Sequence, residues 1–240
     1  MREIVGGAGG RAVDDRPASL PNVTPAQAAG MADAPAAPAI PPAAFAHLHV
    51  RSHFSLLEST ITVPKLVGAL KKQGMDAAAL TDRGNLCGAF EWWSACKDAG
   101  LTGMIGCELP VAPLGIGERT RDTLQVVLLA ASETGYRNLG KLVSRGWLEG
   151  FYFEPRVDLA MIAQHAGDLV CLTGAGPHGI LNRHLASGNV DEAGRQLDQL
   201  RSIFPDRLFV EVCDHGDDGP LSPRRQLPAL AAAKDLPVVA

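Results

Sequence analysis

From Phe45 to the last residue, short apolar runs alternate with stretches of helical period, and that rhythm constrains the fold more than any other feature. Residues 45–50, 76–81, 104–109, 123–130, 168–174, 207–214 and 236–240 read as seven strands. Residues 62–74, 85–100, 132–147, 158–164, 178–187, 190–203 and 224–235 read as helices. Thr62 is placed to cap the first of these, with Pro64 in its first turn and Gly74 at its end. The second opens on Asn85 and closes on Gly100, and Leu86, Phe90, Trp93 and Cys96 form its expected buried stripe. Strands alternating with helices every roughly 25 to 40 residues imply parallel β-α units, and seven such runs predict an α/β, TIM-like (β/α)7 barrel.

Residues 1–43 break the pattern. They run through GGAGG and ADAPAAPAIPPAA and hold seven of the 17 prolines. Such a stretch buries too little apolar surface to offset its ordering entropy, so a disordered Ala/Pro/Gly-rich leader is expected before a domain at 44–240. The chain is 46% hydrophobic and 20% charged, enough apolar content for a core, and its net charge of −4 offers no overall basic character for nucleic acid. Cys87, Cys96, Cys107, Cys171 and Cys213 are scattered, odd in number and without a C-x-x-C pair, which reads as reduced, buried thiols. No apolar run is long enough to span a membrane and no secretory pattern opens the chain, so a cytoplasmic protein is expected.

The functional face of a β/α barrel lies at the C-terminal ends of its strands, and His47, His49, Asp82, Glu108 and His215 all fall at or near such ends. His47 and His49 flank one leucine, so both imidazoles can face one metal from the same side of a strand. Neutral imidazole suits zinc, manganese and iron alike. Glu58 either completes such a site or lies on the surface. Glu108 sits in an apolar strand, where a carboxylate is costly unless paired or metal-bound, whereas Cys107 points the other way into the core. Asp82 either orients a ligand or accepts from backbone amides in its turn. Arg83 stays protonated and cannot ligate, so it binds a phosphate or substitutes its own charge for a metal's. His178 and His215 are further candidates to reach the same face.

HLHVRSHFSLLE, GMDAAALTDRGNLCGAFEWWSACKDAG and IGCELPVAP resemble the start of the PHP (polymerase and histidinol phosphatase) domain in bacterial DNA polymerase III alpha subunits, family C DNA polymerases. LLAASETGYRNLGKLVSRGWLEGFYFEPRVDL resembles a block particular to the polymerase-type members. The likeness covers about residues 45–240 and implies a (β/α)7 barrel with a cluster of metal ligands, here truncated in its last strand. By that resemblance His47, His49, Glu58 and Glu108 are the metal ligands; Asp82, Arg83, His178 and His215 remain, from their positions alone, possible supporting groups around them. Arg83, Gln125 and Ala175 stand where the family usually has histidine, histidine and cysteine, and the final Asp-x-His motif would follow Ala240.

The resemblance implies a mainly structural and docking module of a replicative or error-prone polymerase, with an eroded site for zinc, manganese or iron. Magnesium would serve only the polymerase part, outside these residues. The implied partners are the remainder of the polymerase chain and a proofreading exonuclease subunit, with DNA reached indirectly through the holoenzyme and no membrane. The competing expectation is an independent metal-dependent phosphoesterase or 3′–5′ exonuclease using His47, His49, Glu58 and Glu108. A pure interaction module is the third.

Overall fold

The computed structural model describes residues 45–214, 216, 219 and 221–240, so the expected leader at 1–43 and His215 lie outside the described residues. Seven strands form one sheet in chain order: β1 (His47–Val50), β2 (Ala77–Leu80), β3 (Thr102–Val111), β4 (Leu124–Ala130), β5 (Leu169–Leu172), β6 (Leu208–Glu211) and β7 (Val238–Val239). The helices are α1 (Val63–Lys72), α2 (Ala89–Ala99), α3 (Glu133–Leu148), α4 (Leu159–His165), α5 (Asn182–Ala186), α6 (Val190–Ile203) and α7 (Pro223–Ala233). Their termini follow local chemistry. Ser132 and Asp158 cap α3 and α4 by accepting from Gly135 N and Met161 N, and Gly100 ends α2 in the left-handed conformation.

The mixed α/β architecture agrees with the sequence expectation, with one departure from an all-parallel order. β4 runs antiparallel to both β3 and β5, while the other neighbouring strands are parallel. The cause is the connection: residues 112–123 carry no helix, so β3 and β4 join as a hairpin rather than through a crossover.

Residues from all seven strands meet in one interior cluster: Leu48, Ala79, Met104, Val127, Leu129, Leu172, Phe209 and Val239. Seven strands laid flat would span roughly 29 Å between the outer two, so this shared cluster requires a curled sheet. Two outer clusters cover its convex side. One packs α1 and α2 on β2 through Leu66, Leu70, Ala78, Leu80 and Trp92. The larger packs helices from α3 onward on β3 to β6.

Two expectations from sequence are corrected in detail. The buried stripe of α2 is Ala89, Trp92 and Cys96, whereas Phe90 and Trp93 are 77% and 47% exposed. The sheet dictates this choice, because the Trp92 indole donates to Met104 O at 2.9 Å and its ring fills the space beside β3. Of the five thiols, Cys96, Cys107 and Cys171 are buried, but Cys87 and Cys213 are exposed. Among the described residues no helix is long and apolar enough to cross a membrane.

Candidate functional site

The strand ends converge on one carboxylate. Glu108 lies on β3 with no exposed surface, and a buried carboxylate is tolerated only when its charge is answered. Three cations answer it. The His49 imidazole, projecting from β1, places Nε2 2.9 Å from Glu108 Oε2 and Nδ1 2.7 Å from Glu211 Oε1 on β6. Arg51, just beyond β1, donates from Nε to Glu108 Oε2 at 2.7 Å, and its Nη2 also pairs with that oxygen. Arg83, in the turn after β2, donates from Nη1 to Glu108 Oε1 at 2.6 Å.

The network widens through the same guanidinium groups. Arg51 Nη1 reaches Glu58 Oε2 at 2.7 Å, and Arg83 Nη2 reaches Glu154 Oε2 at 2.8 Å. Arg83 Nη1 also donates to Gln125 Oε1 at 3.2 Å, and Gln125 Nε2 is itself tied to Ala175 O. Four carboxylates, Glu58, Glu108, Glu154 and Glu211, therefore face three cations. One buried atom in this set, Glu211 Oε2, has no hydrogen-bond partner among the described residues.

This geometry fixes the charge state of His49. A neutral imidazole has one donor and one acceptor, but here both ring nitrogens face carboxylate oxygens, so both must carry protons. Burial alone would lower the pKa, yet the hydrogen bonds to Glu108 and Glu211 outweigh it and raise the value to about 9. For Glu108, burial alone would raise the pKa, but the His49 hydrogen bond and the charges of Arg51, His49 and Arg83 bring it down to about 2.

Of the residues singled out from sequence, His49, Glu58, Glu108 and Arg83 come together. His47 does not join them: it is exposed and sits edge-on to Phe45, with ring centroids 4.9 Å apart. His47 and the exposed His178 both line an open cleft of about 650 Å³ beside His49, Glu58 and Glu211, and the His178 backbone carbonyl accepts from Gln125 N. Asp82 is buried behind the centre and does the work of a turn, accepting from Ser52 N, Ser52 Oγ and Ser55 Oγ at 2.7–2.8 Å. Among the described residues no group of three or more His, Cys, Asp or Glu side chains is arranged to hold a metal ion.

Sequence reasoning missed Arg51, Glu154 and Glu211. Arg51 is two residues beyond His49, the spacing that had been read for His47 and His49. Glu211 is an acidic residue in an apolar strand, so the argument applied to Glu108 would have found it. Glu154 carries no such signal, since only the fold of 149–157 brings it in. That segment is pinned by Arg156, whose guanidinium is 1% exposed and donates to the carbonyls of Gly150, Glu118, Thr120 and Ile116. Trp147 and Pro155 hold the Arg83 turn. The indole donates to Gly84 O at 2.8 Å, and a Cβ on Gly84, at φ +66°, would lie 2.8 Å from Pro155 Cγ.

Comparison with known proteins places the chain in a family. The PHP domain matches residues 47–215. DNA polymerase III subunit alpha of Treponema pallidum is 40% identical over 201 residues, covering 81% of this chain and 17% of the relative. The Caulobacter vibrioides subunit is 38% identical over 199 residues, covering 82% and 17%. That of Thermus aquaticus is 37% identical over 181 residues, covering 72% and 15%. The chain thus spans about a sixth of the length of these relatives. Matched over most of its length, the chain belongs to the PHP domain family and is homologous in that region to DNA polymerase III alpha subunits.

Proposed function

We propose that this PHP domain acts as a structural and docking module of a bacterial DNA polymerase III alpha subunit, with an internal ion-pair network where a metal centre would lie. The observation that carries the reading is the placement of Arg51 and Arg83 on both oxygens of Glu108. A guanidinium donates hydrogen bonds and never ligates a cation. Both nitrogens of His49 are likewise engaged, and metal ligation requires a neutral imidazole with a free nitrogen. These residues do not fit a multinuclear zinc, manganese or iron centre.

What the residues do is mechanical. Glu108 gathers cations from β1 and the β2 turn, His49 ties β3 to β6, and Arg83 ties the β2 turn to Glu154 in the 149–157 segment. The network cross-links the strand ends of the curled sheet. In this reading nucleotidyl transfer with magnesium belongs to the remainder of the polymerase chain, DNA is reached through the holoenzyme, and a proofreading exonuclease subunit docks on the domain in the cytoplasm.

Metal analysis tests the proposal. The purified chain is incubated with Zn²⁺, Mn²⁺ or Fe²⁺, dialysed and analysed by mass spectrometry of the elements. The expected content is below about 0.1 equivalent per chain, with EDTA leaving the unfolding curve unchanged. One or more tightly held equivalents, together with hydrolysis of a phosphomonoester, would establish the phosphoesterase or exonuclease reading instead.

A further inference from the structure

We propose that a second pocket, between α5 and the start of α7, binds a small phosphate monoester that also carries a hydroxyl group. The pocket holds about 410 Å³ and none of the side chains in the ion-pair network around Glu108 lines it. Pro177, Ala186 and Pro223 supply apolar wall, and Asn182, Arg183, Ser222 and Arg224 bring polar groups to the same space. Apolar walls with a few convergent polar groups are the usual make-up of a small-molecule site.

Two of these side chains are buried without the bonds they need. Asn182 is 4% exposed, and its Nδ2 donates to Gly176 O at 2.7 Å. That bond fixes the orientation of the amide, because the reverse would set two oxygens against each other. Oδ1 is then left with no hydrogen-bond partner among the described residues. Ser222 is 3% exposed and directly precedes α7, yet its hydroxyl makes no capping bond to that helix. Buried polar groups are ordinarily bonded, so both call for a partner that the chain does not supply.

The chemistry of the ligand follows from the donors and acceptors. The Ser222 hydroxyl, two guanidinium groups and the positive end of α7, an 11-residue helix, favour an oxyanion. Arg183 Nη2 donates to Asp122 Oδ2 at 2.7 Å, and Arg224 pairs with Asp214. Both aspartates are at least half exposed, and such pairs contribute little, so sharing either guanidinium with a phosphate costs little. Asn182 Oδ1 only accepts, so the ligand must also bring an O–H or N–H. Sulfate meets the donors and leaves that oxygen unanswered, whereas a phosphate monoester with a hydroxyl meets both. The space exceeds what a phosphate group alone fills, which leaves room for an organic body against the proline and alanine walls.

The probe is glycerol 3-phosphate, compared with glycerol and with sulfate on the same chain. Titration is followed by nuclear magnetic resonance of the Asn182 side-chain amide and the Gly176 and Arg224 backbone amides. Glycerol 3-phosphate is expected to give saturable shifts there with a Kd below about 1 mM, and the two comparison compounds to bind about tenfold or more weakly. Arg183→Gln and Ser222→Ala should each weaken binding about fivefold or more, with the fold checked by circular dichroism. Asn182→Asp, which sets a carboxylate against the ligand, should abolish it; if that buried variant does not fold, the other two decide. Four results would overturn the proposal: no saturable shift up to about 10 mM probe, equal affinity for sulfate, unchanged affinity in both Arg183→Gln and Ser222→Ala, or shifts centred on His47 and Glu58, which would place the ligand in the strand-end cleft instead.

Discussion

His49 makes the stability of this domain depend on alkaline pH. Its folded pKa of about 9 stands above the ordinary 6.5, so folding favours the protonated ring. A group raised in this way contributes its full stabilisation below about pH 6.5 and loses it as pH climbs through about 9. The difference of about 2.5 units corresponds to about 3 kcal/mol, an appropriate scale for a side chain only 14% exposed and bonded to two carboxylates. Urea unfolding at pH 6, 7.5, 9 and 10, for the native chain and for His49→Gln, separates this term from every other titrating group. The native advantage over the variant should be greatest at pH 6 and shrink by about 3 kcal/mol by pH 10. A constant difference across that range would refute the reasoning, as would a nuclear magnetic resonance titration of the His49 ring with a midpoint near 6.5.

The same network supports further predictions. Glu211→Gln removes one charged acceptor from the imidazolium, so the His49 midpoint should fall while remaining above the ordinary value; an unchanged midpoint would mean that Glu211 contributes nothing to it. Arg83→Met removes one of the three cations on buried Glu108 and the partner of part-exposed Glu154, and should cost about 2 kcal/mol in urea unfolding, more than the removal of an exposed ion pair. Arg156→Ala strips four backbone carbonyls of their donor and should open residues 113–122 to trypsin well before the rest of the domain, whereas Arg156→Lys restores part of the protection. Trp92→Ala should cost about 3–5 kcal/mol through its cavity, while Trp93→Ala should cost under about 1 kcal/mol.

The periodic pattern alone determined seven strands and the helices between them, because apolar spacing acts locally, although Thr62 makes no side-chain cap bond and α2 starts at Ala89 rather than Asn85. It also determined that Glu108 must be answered, since no apolar strand leaves a carboxylate alone. The direction of β4 was legible as well, in the missing helix between residues 111 and 124, although the alternation elsewhere argued for a parallel strand. Only the tertiary structure decided which side chains answer Glu108. Arg51, Arg83 and His49 lie 57, 25 and 59 residues away in the chain, and Glu154 is delivered by a segment that Arg156 holds without any periodic signal. Side-chain reach across a curled sheet is set by strand order and curvature. Local sequence encodes neither, so the gathering of candidate residues at the strand ends could be read while the ion pairs among them could not.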